Sequence, residues 1–312
     1  MKMNSHSKFL HTKIVLLVLV SYFSFGQNEQ QYYEQGKAKV EAGDLKGAIS
    51  DFTKSIELNP DYADAYVARG DAWFDLNDLK KAITDFTKAI EIAPETQQAY
   101  LLRGLSKYSL DDLDGAIEDY DAAIKLNSEF EIAYYNRASA RMDKGEFQNA
   151  IVDYSKAIEL QPDWPNAYFF RARCREQLNE NKEAIDDFNK AIELEPNLVE
   201  AYLHRGLTLF YELGDKNGAM ADLNKVIELA PDYYGGYFYR GTIYQVSFDI
   251  KNAEADFTQV IKIEPEFAEA YHMRGLGKIM DSDKKGGCSD LLMAVKFGSE
   301  DAKESASKNK CK

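Results

Sequence analysis

A tyrosine followed four residues later by glycine or alanine recurs eight times along this chain, with a period of 34 residues. A fixed period of this length indicates stacked supersecondary units, because each unit buries its apolar face only against its neighbours. One step, between the sixth and seventh tyrosines, is 35 residues long. The tyrosines are Tyr32, Tyr66, Tyr100, Tyr134, Tyr168, Tyr202, Tyr237 and Tyr271, and the small residues are Gly36, Gly70, Gly104, Ala138, Ala172, Gly206, Gly241 and Gly275.

Each period contains the signature of two helices. In residues 63–96, apolar or small residues recur at helical spacing up to Asn77-Asp78, which interrupts the first pattern. A second helical pattern follows from Leu79 to Ile92, and Pro94 ends it. Small residues of one helix face aromatic residues of the other, so the pattern predicts a tightly packed antiparallel helix pair. The recurring second-helix alanines are Ala48, Ala82, Ala116, Ala150, Ala184, Ala219 and Ala253.

The period, small residues, aromatic position and terminal proline together resemble the tetratricopeptide repeat (TPR). The resemblance implies an all-α fold, a right-handed α-solenoid of eight helix–turn–helix units over residues 27–298, and a capping helix and tail over 299–312. It also implies a concave face, lined by the first helices, that receives a peptide or partner protein. The units are predicted at about 29–62, 63–96, 97–130, 131–164, 165–198, 199–233, 234–267 and 268–298.

Two charged positions repeat with the period and suggest an arginine–aspartate ladder. Arginine follows the tyrosine by three residues in every unit but the first, where Gln35 takes its place. Our hypothesis is that each aspartate binds the arginine of the following unit and fixes the stacking register; the alternative is that both are independent surface residues. The ladder residues are Asp51, Arg69, Asp85, Arg103, Asp119, Arg137, Asp153, Arg171, Asp187, Arg205, Asp222, Arg240, Asp256, Arg274 and Asp290.

The first helices also carry a stripe of aromatic and apolar residues beside the packing face. Aromatic anchors commonly dominate the energy of protein interfaces, so this stripe predicts a partner-binding groove centred on units three to six. The alternative is that adjacent first helices pack through the same positions. The candidate groove residues are Tyr108, Tyr135, Met142, Phe169 and Phe210.

The first 26 residues differ from the repeats. Three lysines precede a mostly apolar run from Ile14 to Phe25, which is typical of a secretory signal peptide and too short to span a bilayer. We therefore expect export to the periplasm or the exterior of a Gram-negative bacterium, and no transmembrane segment after cleavage. Cleavage would leave 35 basic and 52 acidic residues, a balance that disfavours nucleic-acid partners.

The three cysteines are predicted to have different roles. Cys174 lies within a predicted helix and is expected to be a small core residue. Cys288 begins one predicted helix and Cys311 ends the next, so antiparallel packing would bring both to the same end. A disulfide there suits an exported protein. The alternative is that the last residues are frayed and the two thiols stay unbonded.

The sequence offers no recognisable catalytic or metal-ligating motif, and it predicts neither a cofactor nor a metal. His204 and His272 lie in separate units without a metal-ligand pattern around them. The chain is therefore interpreted as a non-catalytic protein–protein interaction scaffold of unknown partner. The alternatives are an accessory subunit that positions an envelope enzyme or assembly complex, and a structural protein that associates with itself.

Overall fold

A computed structural model describes residues 28–312, and the predicted signal peptide lies outside that range. Within it the chain forms seventeen α-helices and no strand. Odd-numbered helices are the first helices of the repeats and even-numbered ones the second. In chain order α1–α17 are Glu29–Glu41, Leu45–Leu58, Ala63–Asp75, Leu79–Ile92, Gln97–Tyr108, Leu113–Leu126, Glu131–Asp143, Phe147–Leu160, Pro165–Gln177, Asn181–Leu194, Val199–Tyr211, Lys216–Leu229, Tyr234–Val246, Ile250–Ile263, Ala268–Met280, Lys284–Lys296 and Glu300–Lys308.

The helices belong to two compact units. One ends at Lys144 and contains α1–α7, and the other is Gly145–Lys312 and contains α8–α17. Within each unit every helix packs against the helices that precede and follow it in the chain, and successive first helices also touch. This consecutive pairing is the arrangement that the period of 34 residues predicts.

Aspartates start most of the second helices. The Asp44 carboxylate accepts the backbone N–H of Gly47 at 2.9 Å, and the Asp283 carboxylate accepts that of Gly286 at the same distance. Asp78, Asp112, Asp215 and Asp249 make the equivalent contact in their repeats. Each carboxylate satisfies one of the N–H groups that a helix start leaves unpaired and carries negative charge at the positive end of the helix dipole.

The interior of several helix pairs is built from a small residue against a large ring, as the sequence predicts, whereas Gly206 and Gly275 face Leu223 and the backbone of α16 instead. A Cβ atom placed on Gly70 would lie 2.7 Å from Cε1 of Phe86, which is closer than two carbon atoms can approach. Phe86 is completely buried, and so are Tyr120, Tyr154, Phe188 and Phe257 at the same place in other repeats. Cys174 is also completely buried, as expected of a core residue.

The turns between first and second helices share one left-handed residue. Its φ is 60° at Asn77, 63° at Asp111 and 59° at Asn179, and glycine occupies the place in the first, fourth and sixth repeats. The additional residue of the sixth repeat lies in this turn, which contains Gly214, and leaves α12 at its usual length. The 35-residue step between the sixth and seventh tyrosines therefore lengthens only this turn.

The C-terminal end carries a ninth first-type helix. In α17 the third residue, Ala302, is completely buried, like the third-residue alanines Ala65 and Ala270 of α3 and α15. A disulfide joins Cys288 in α16 to Cys311 beyond α17, which is the bonded one of the two alternatives that the sequence left open. Because α17 contacts both α15 and α16, it covers the end of the stack.

Candidate binding surface

The periodic arginines and aspartates form buried clamps. In the second repeat Arg69 donates from Nε to Asp85 Oδ2 at 2.8 Å and from Nη2 to Oδ1 at 2.7 Å. The aspartate is only 5% exposed, so the two parallel charge-assisted bonds lie in the interior. The same two-bond contact joins Arg103 to Asp119, Arg171 to Asp187, Arg205 to Asp222, Arg240 to Asp256, and Arg274 to Asp290.

These partners differ from the predicted ladder. The sequence hypothesis pairs Asp51 with Arg69 and Asp85 with Arg103, across the junction between repeats. In the structure Arg69 binds Asp85, which belongs to its own repeat, so the predicted pairing is wrong for these residues. The reason is geometric: the first helix packs along its own second helix, and the pair brings arginine and aspartate to the same level.

A third N–H group of each of these arginines, on Nη1, donates to a side chain of the preceding repeat. Arg69 Nη1 donates to Thr53 Oγ1 at 3.1 Å, and Arg103 Nη1 donates to Thr87 Oγ1 at 3.2 Å. The acceptor lies two residues after the aspartate of the preceding repeat, and its side chain is a hydroxyl, amide or carboxylate. Arg137 therefore binds Asp121, Arg171 binds Ser155, Arg205 binds Asn189, Arg240 binds Asn224 and Arg274 binds Thr258. One guanidinium thus connects two consecutive repeats.

The periodic tyrosine completes this arrangement. The guanidinium carbon of Arg69 lies 5.6 Å from the centre of the Tyr66 ring, and the other six repeat arginines lie 5.3–5.8 Å from theirs. Such cation–π contacts stabilise a partly desolvated arginine. The hydrogen bonds to Asp85 raise the pKa of Arg69 above its ordinary value, so the guanidinium stays charged over the whole physiological range.

A second cation, which the sequence analysis missed, reaches several clamp aspartates. Lys107 Nζ lies 2.8 Å from Asp119 Oδ2, and Arg175 Nη1 lies 2.7 Å from Asp187 Oδ2. In the first repeat, where Gln35 replaces arginine, Lys39 alone binds Asp51 at 2.6 Å. The sequence signal for this second contact is a basic residue four positions after the arginine position. It does not occur in every repeat, so the period did not reveal it.

Three of the candidate groove residues lie in the unit that ends at Lys144. Tyr108 is half-buried at the end of α5, and its hydroxyl donates a short hydrogen bond to Asp143 at the end of α7. Tyr135 and Met142 are half-buried on α7. Burial raises the pKa of Tyr135 to about 12, so its hydroxyl is neutral at physiological pH. Tyr108 therefore connects successive first helices, which is the packing role that the sequence left as the alternative.

The other two candidates lie in the second unit. Phe169 is 6% exposed and packs edge-on against Phe170 and His204, so it offers almost no surface to a partner. Phe210 is half-buried and contacts the exposed ring of Tyr211 edge-on. In this unit the surface is thus provided by residues near Phe210 rather than by Phe169.

An open cleft of about 140 Å³ lies beside that surface, between α9, α11 and the turn after α11. Its walls are apolar at Leu207 and Tyr211 and acidic at Glu176 and Glu212, with Asn181 and Thr208 completing them. Glu176 is held in place because Thr208 Oγ1 donates to its Oε1 at 2.5 Å and Arg173 Nε lies 3.1 Å from its Oε2. Glu212 is exposed and accepts one bond, from Asn181 Nδ2 at 3.3 Å.

His204 contacts Glu176, one of the residues that line the cleft. Its ring stacks on Phe188, and its Nδ1 lies 3.4 Å from Glu176 Oε2. In residues 28–312 no group of three or more histidine, cysteine, aspartate and glutamate side chains is placed to hold a metal ion. Across the same residues no helix is long and apolar enough to cross a membrane.

Models of the tetratricopeptide repeat match residues 33–95, 104–145, 132–163, 177–210 and 199–233, which together exceed half of the chain. The chain belongs to the TPR family. This assignment agrees with the helix-pair architecture and confirms the resemblance and the α-solenoid fold class inferred from the sequence. No curated protein matches this TPR chain.

Solved TPR structures are similar to this chain. The C-terminal part of a TPR repeat-containing protein from Cytophaga hutchinsonii is 20% identical with a TM-score of 0.67, over 77% of this chain and 98% of that one. MamA is 27% identical with a TM-score of 0.51, over 53% and 96%. YrrB, described as a TPR protein with an unusual peptide-binding site, is 23% identical with a TM-score of 0.53, over 59% and 95%.

Proposed function

We propose that this TPR protein is a non-catalytic interaction scaffold that binds an extended peptide or a partner protein on its first-helix face. TPR proteins bind protein or peptide partners and are generally non-enzymatic scaffolds, which supports the general class. The observation that carries the proposal here is the cleft between α9 and α11. The cleft has apolar walls next to two carboxylates, and packing of the neighbouring helices holds these walls in place.

The cleft favours a ligand in which an apolar side chain lies next to a cationic one. Leu207 and Tyr211 would contact the apolar group, and Glu212 would bind the cation, since within residues 28–312 its carboxylate accepts one long hydrogen bond, from Asn181. A chain with a net charge of −14 also attracts cationic segments over a longer range. Tyr135 and Met142 remain candidates for the surface of the other unit, whereas Tyr108 joins two first helices.

Photo-crosslinking with a displayed peptide library tests this placement. A crosslinking amino acid at Tyr211 should capture peptides that contain adjacent basic and apolar residues. The same amino acid at Val152, an exposed residue of a second helix, should capture none. Capture at both positions with equal efficiency, or a selected set without basic residues, would contradict the proposed site.

A charge reversal in the cleft provides the matched comparison. Glu212→Lys should weaken the binding of a selected peptide about tenfold, because it replaces attraction by repulsion next to the bound cation. Glu195→Lys makes the same change in net charge at an exposed position beyond α10 and should leave the affinity within about twofold. Equal losses in both variants would mean that only the overall charge matters.

The two other functional classes predict different results in solution. An accessory subunit would bind one folded protein of the envelope and no short peptide, and cleft substitutions would weaken that complex. A self-associating protein would show a mass in light scattering that rises with concentration. Export to the periplasm or exterior is part of the proposal and is supported by the signal-like segment before residue 27.

A further inference from the structure

The turns between first and second helices meet at one edge of the second unit, and this turn edge has unusual chemistry in the seventh and eighth repeats. Phe248 is 78% exposed, Val246 is 61% exposed and Met280 is 50% exposed. Phe248 lies in the turn 247–249, and Val246 and Met280 are the last helical residues before the turns 247–249 and 281–283. Isolated exposed apolar residues are common, but large ones on neighbouring turns mark an interaction surface.

Phe248 is also in a conformation that its side chain disfavours. Its φ is 60°, in the left-handed region, where a bulky residue is an outlier. The equivalent residue is Gly43, Asn77, Asp111, Gly145, Asn179, Gly214 or Ser282 in the other repeats. Strained residues of this kind concentrate at functional sites. A ring that is both strained and 78% exposed contributes little to packing, which points to a role in contact with something outside this fold.

A cluster of lysines lies at the same edge. Lys284 and Lys285 begin α16, immediately after the turn that follows Met280. The disulfide of Cys288 and Cys311 brings Lys310 and Lys312 to them, and the four lysines line one open cavity of about 510 Å³ with Ser289 and Leu292. In the part of the chain that the structure describes, none of these four ammonium groups has a hydrogen bond or ion pair.

The nearby carboxylates leave this positive charge largely uncompensated. Asp283 and Asp249 cap the starts of α16 and α14, where the helix dipoles offset their charge. Asp290 is bound by Arg274 and Lys278. Asp281, in the same turn as Asp283, is a second exposed carboxylate and does not occupy the N-cap position of α16. Residues 284–312 contain seven lysines and four acidic residues, which reverses the sign of the strongly acidic chain.

We propose that the turn edge of the last two repeats is a docking site for an anionic lipid bilayer. Headgroup phosphates would bind in the cavity formed by Lys284, Lys285, Lys310 and Lys312, and Phe248 and Met280 would enter the boundary with the acyl chains. Projecting side chains on separate turns suit a deformable surface, and unpaired lysines beside them supply the electrostatic attraction that peripheral binding needs. This site is distinct from the proposed peptide cleft.

Vesicle co-sedimentation of the full chain tests the proposal. The protein should bind vesicles of equimolar phosphatidylcholine and phosphatidylglycerol and should not bind phosphatidylcholine alone. Converting the four lysines to glutamine should lower the partition coefficient by about two to three orders of magnitude, since each lysine near an anionic surface contributes about fivefold. The matched control converts four exposed lysines elsewhere, Lys46, Lys80, Lys125 and Lys182, and should retain most of the binding.

The role of the disulfide and the apolar residues can be tested separately. The double variant Cys288→Ser and Cys311→Ser should bind about tenfold more weakly, because Lys310 and Lys312 are no longer held beside α16; circular dichroism checks that its helices persist. Phe248→Trp should bind normally and shift its fluorescence to the blue with anionic vesicles, whereas Phe248→Asn should weaken binding about tenfold.

Three outcomes would overturn the proposal. The first is equal binding to neutral and anionic vesicles, and the second is equal loss in the cluster variant and the control variant. The third is lysine-dependent binding of soluble polyglutamate as tightly as vesicles, with no shift in tryptophan fluorescence. That last result would assign the surface to an acidic protein segment.

Discussion

Two regions of the seventh repeat differ in how much their side chains vary between repeats. One is the clamp between Arg240 and Asp256, and the other is the turn that contains Phe248. The clamp recurs with unchanged residue types, distances and burial in repeat after repeat. The turn keeps only its backbone conformation, and its side chain ranges from glycine to phenylalanine. Loss of one clamp partner alone would leave the other charge buried without compensation. An exposed turn requires only a left-handed residue and a helix cap.

This difference shows where a repeat protein can vary. The clamp positions are constrained by stacking, so they carry little information about a ligand. The turns and the outer first-helix positions are constrained weakly, so a residue there that is unfavourable for the fold points to another role. Substitutions in the two regions should therefore change the free energy of unfolding by different amounts. At Phe248 the change should also have the opposite sign.

Removal of a clamp carboxylate should have the largest effect. Asp85→Ala leaves the Arg69 guanidinium without the partner that takes two of its donors, so the free energy of unfolding should fall by about 3–5 kcal/mol. Urea denaturation followed by circular dichroism measures the change. The control in the same helix is Glu91→Ala, which removes an exposed pair with Lys88 and should cost less than about 1 kcal/mol. Similar losses in both variants would show that the clamp is not a buried ion pair in solution.

Enlargement of a small residue at the helix-pair interface should come next. Gly104→Val places side-chain carbons against Tyr120, whose Cε1 lies 2.6 Å from the Cβ position, and should cost about 1–3 kcal/mol. Helix propensity alone predicts the opposite sign, because valine is a better helix former than glycine. The difference in stability between Gln98→Val and Gln98→Gly, at an exposed position of the same helix, isolates the propensity effect. A more stable Gly104→Val protein would refute the proposed close contact.

The sequence predicted much of this architecture because stacking fixes the residues that repeat. Period and helical spacing predicted the helix pairs, and the interior contact of Gly70 with Phe86 followed from a small residue opposite an aromatic one. The partner of Arg69 was predicted incorrectly because sequence distance cannot distinguish two aspartates on either side of an arginine. That choice depends on how far the first helix overlaps its own second helix.

The candidate binding surface was less predictable for a related reason. The position of Phe169 in the period is the same whether its ring faces a groove or a neighbouring helix, and burial decides between them. The cleft at Glu212 and the exposed Phe248 belong to turns that do not repeat in sequence. A residue type that is unusual for a left-handed turn was the available signal, but the turn conformation had to be known first.

The bond between repeats should contribute less than the clamp. Thr87→Val keeps the shape of the side chain but removes the acceptor of Arg103 Nη1, and should cost about 1–2 kcal/mol because a half-buried donor loses its partner. Thr84→Val in the same helix removes a hydroxyl that binds only the backbone of Lys80 and serves as the control. If the two variants unfold at the same urea concentration, the third donor of the arginine does not stabilise the stacking register.

Relief of the strained turn should give the smallest effect, with the opposite sign. Phe248→Asn should raise the free energy of unfolding by about 0.5–1 kcal/mol, because asparagine tolerates the left-handed conformation and the exposed ring loses little buried area. Val246→Asn, at an exposed helical position two residues earlier, should give no such gain. Thermal denaturation in the absence of lipid measures both variants. A loss of stability at Phe248 would mean that the ring packs within the fold, and it would remove the reason to assign the ring a role in docking.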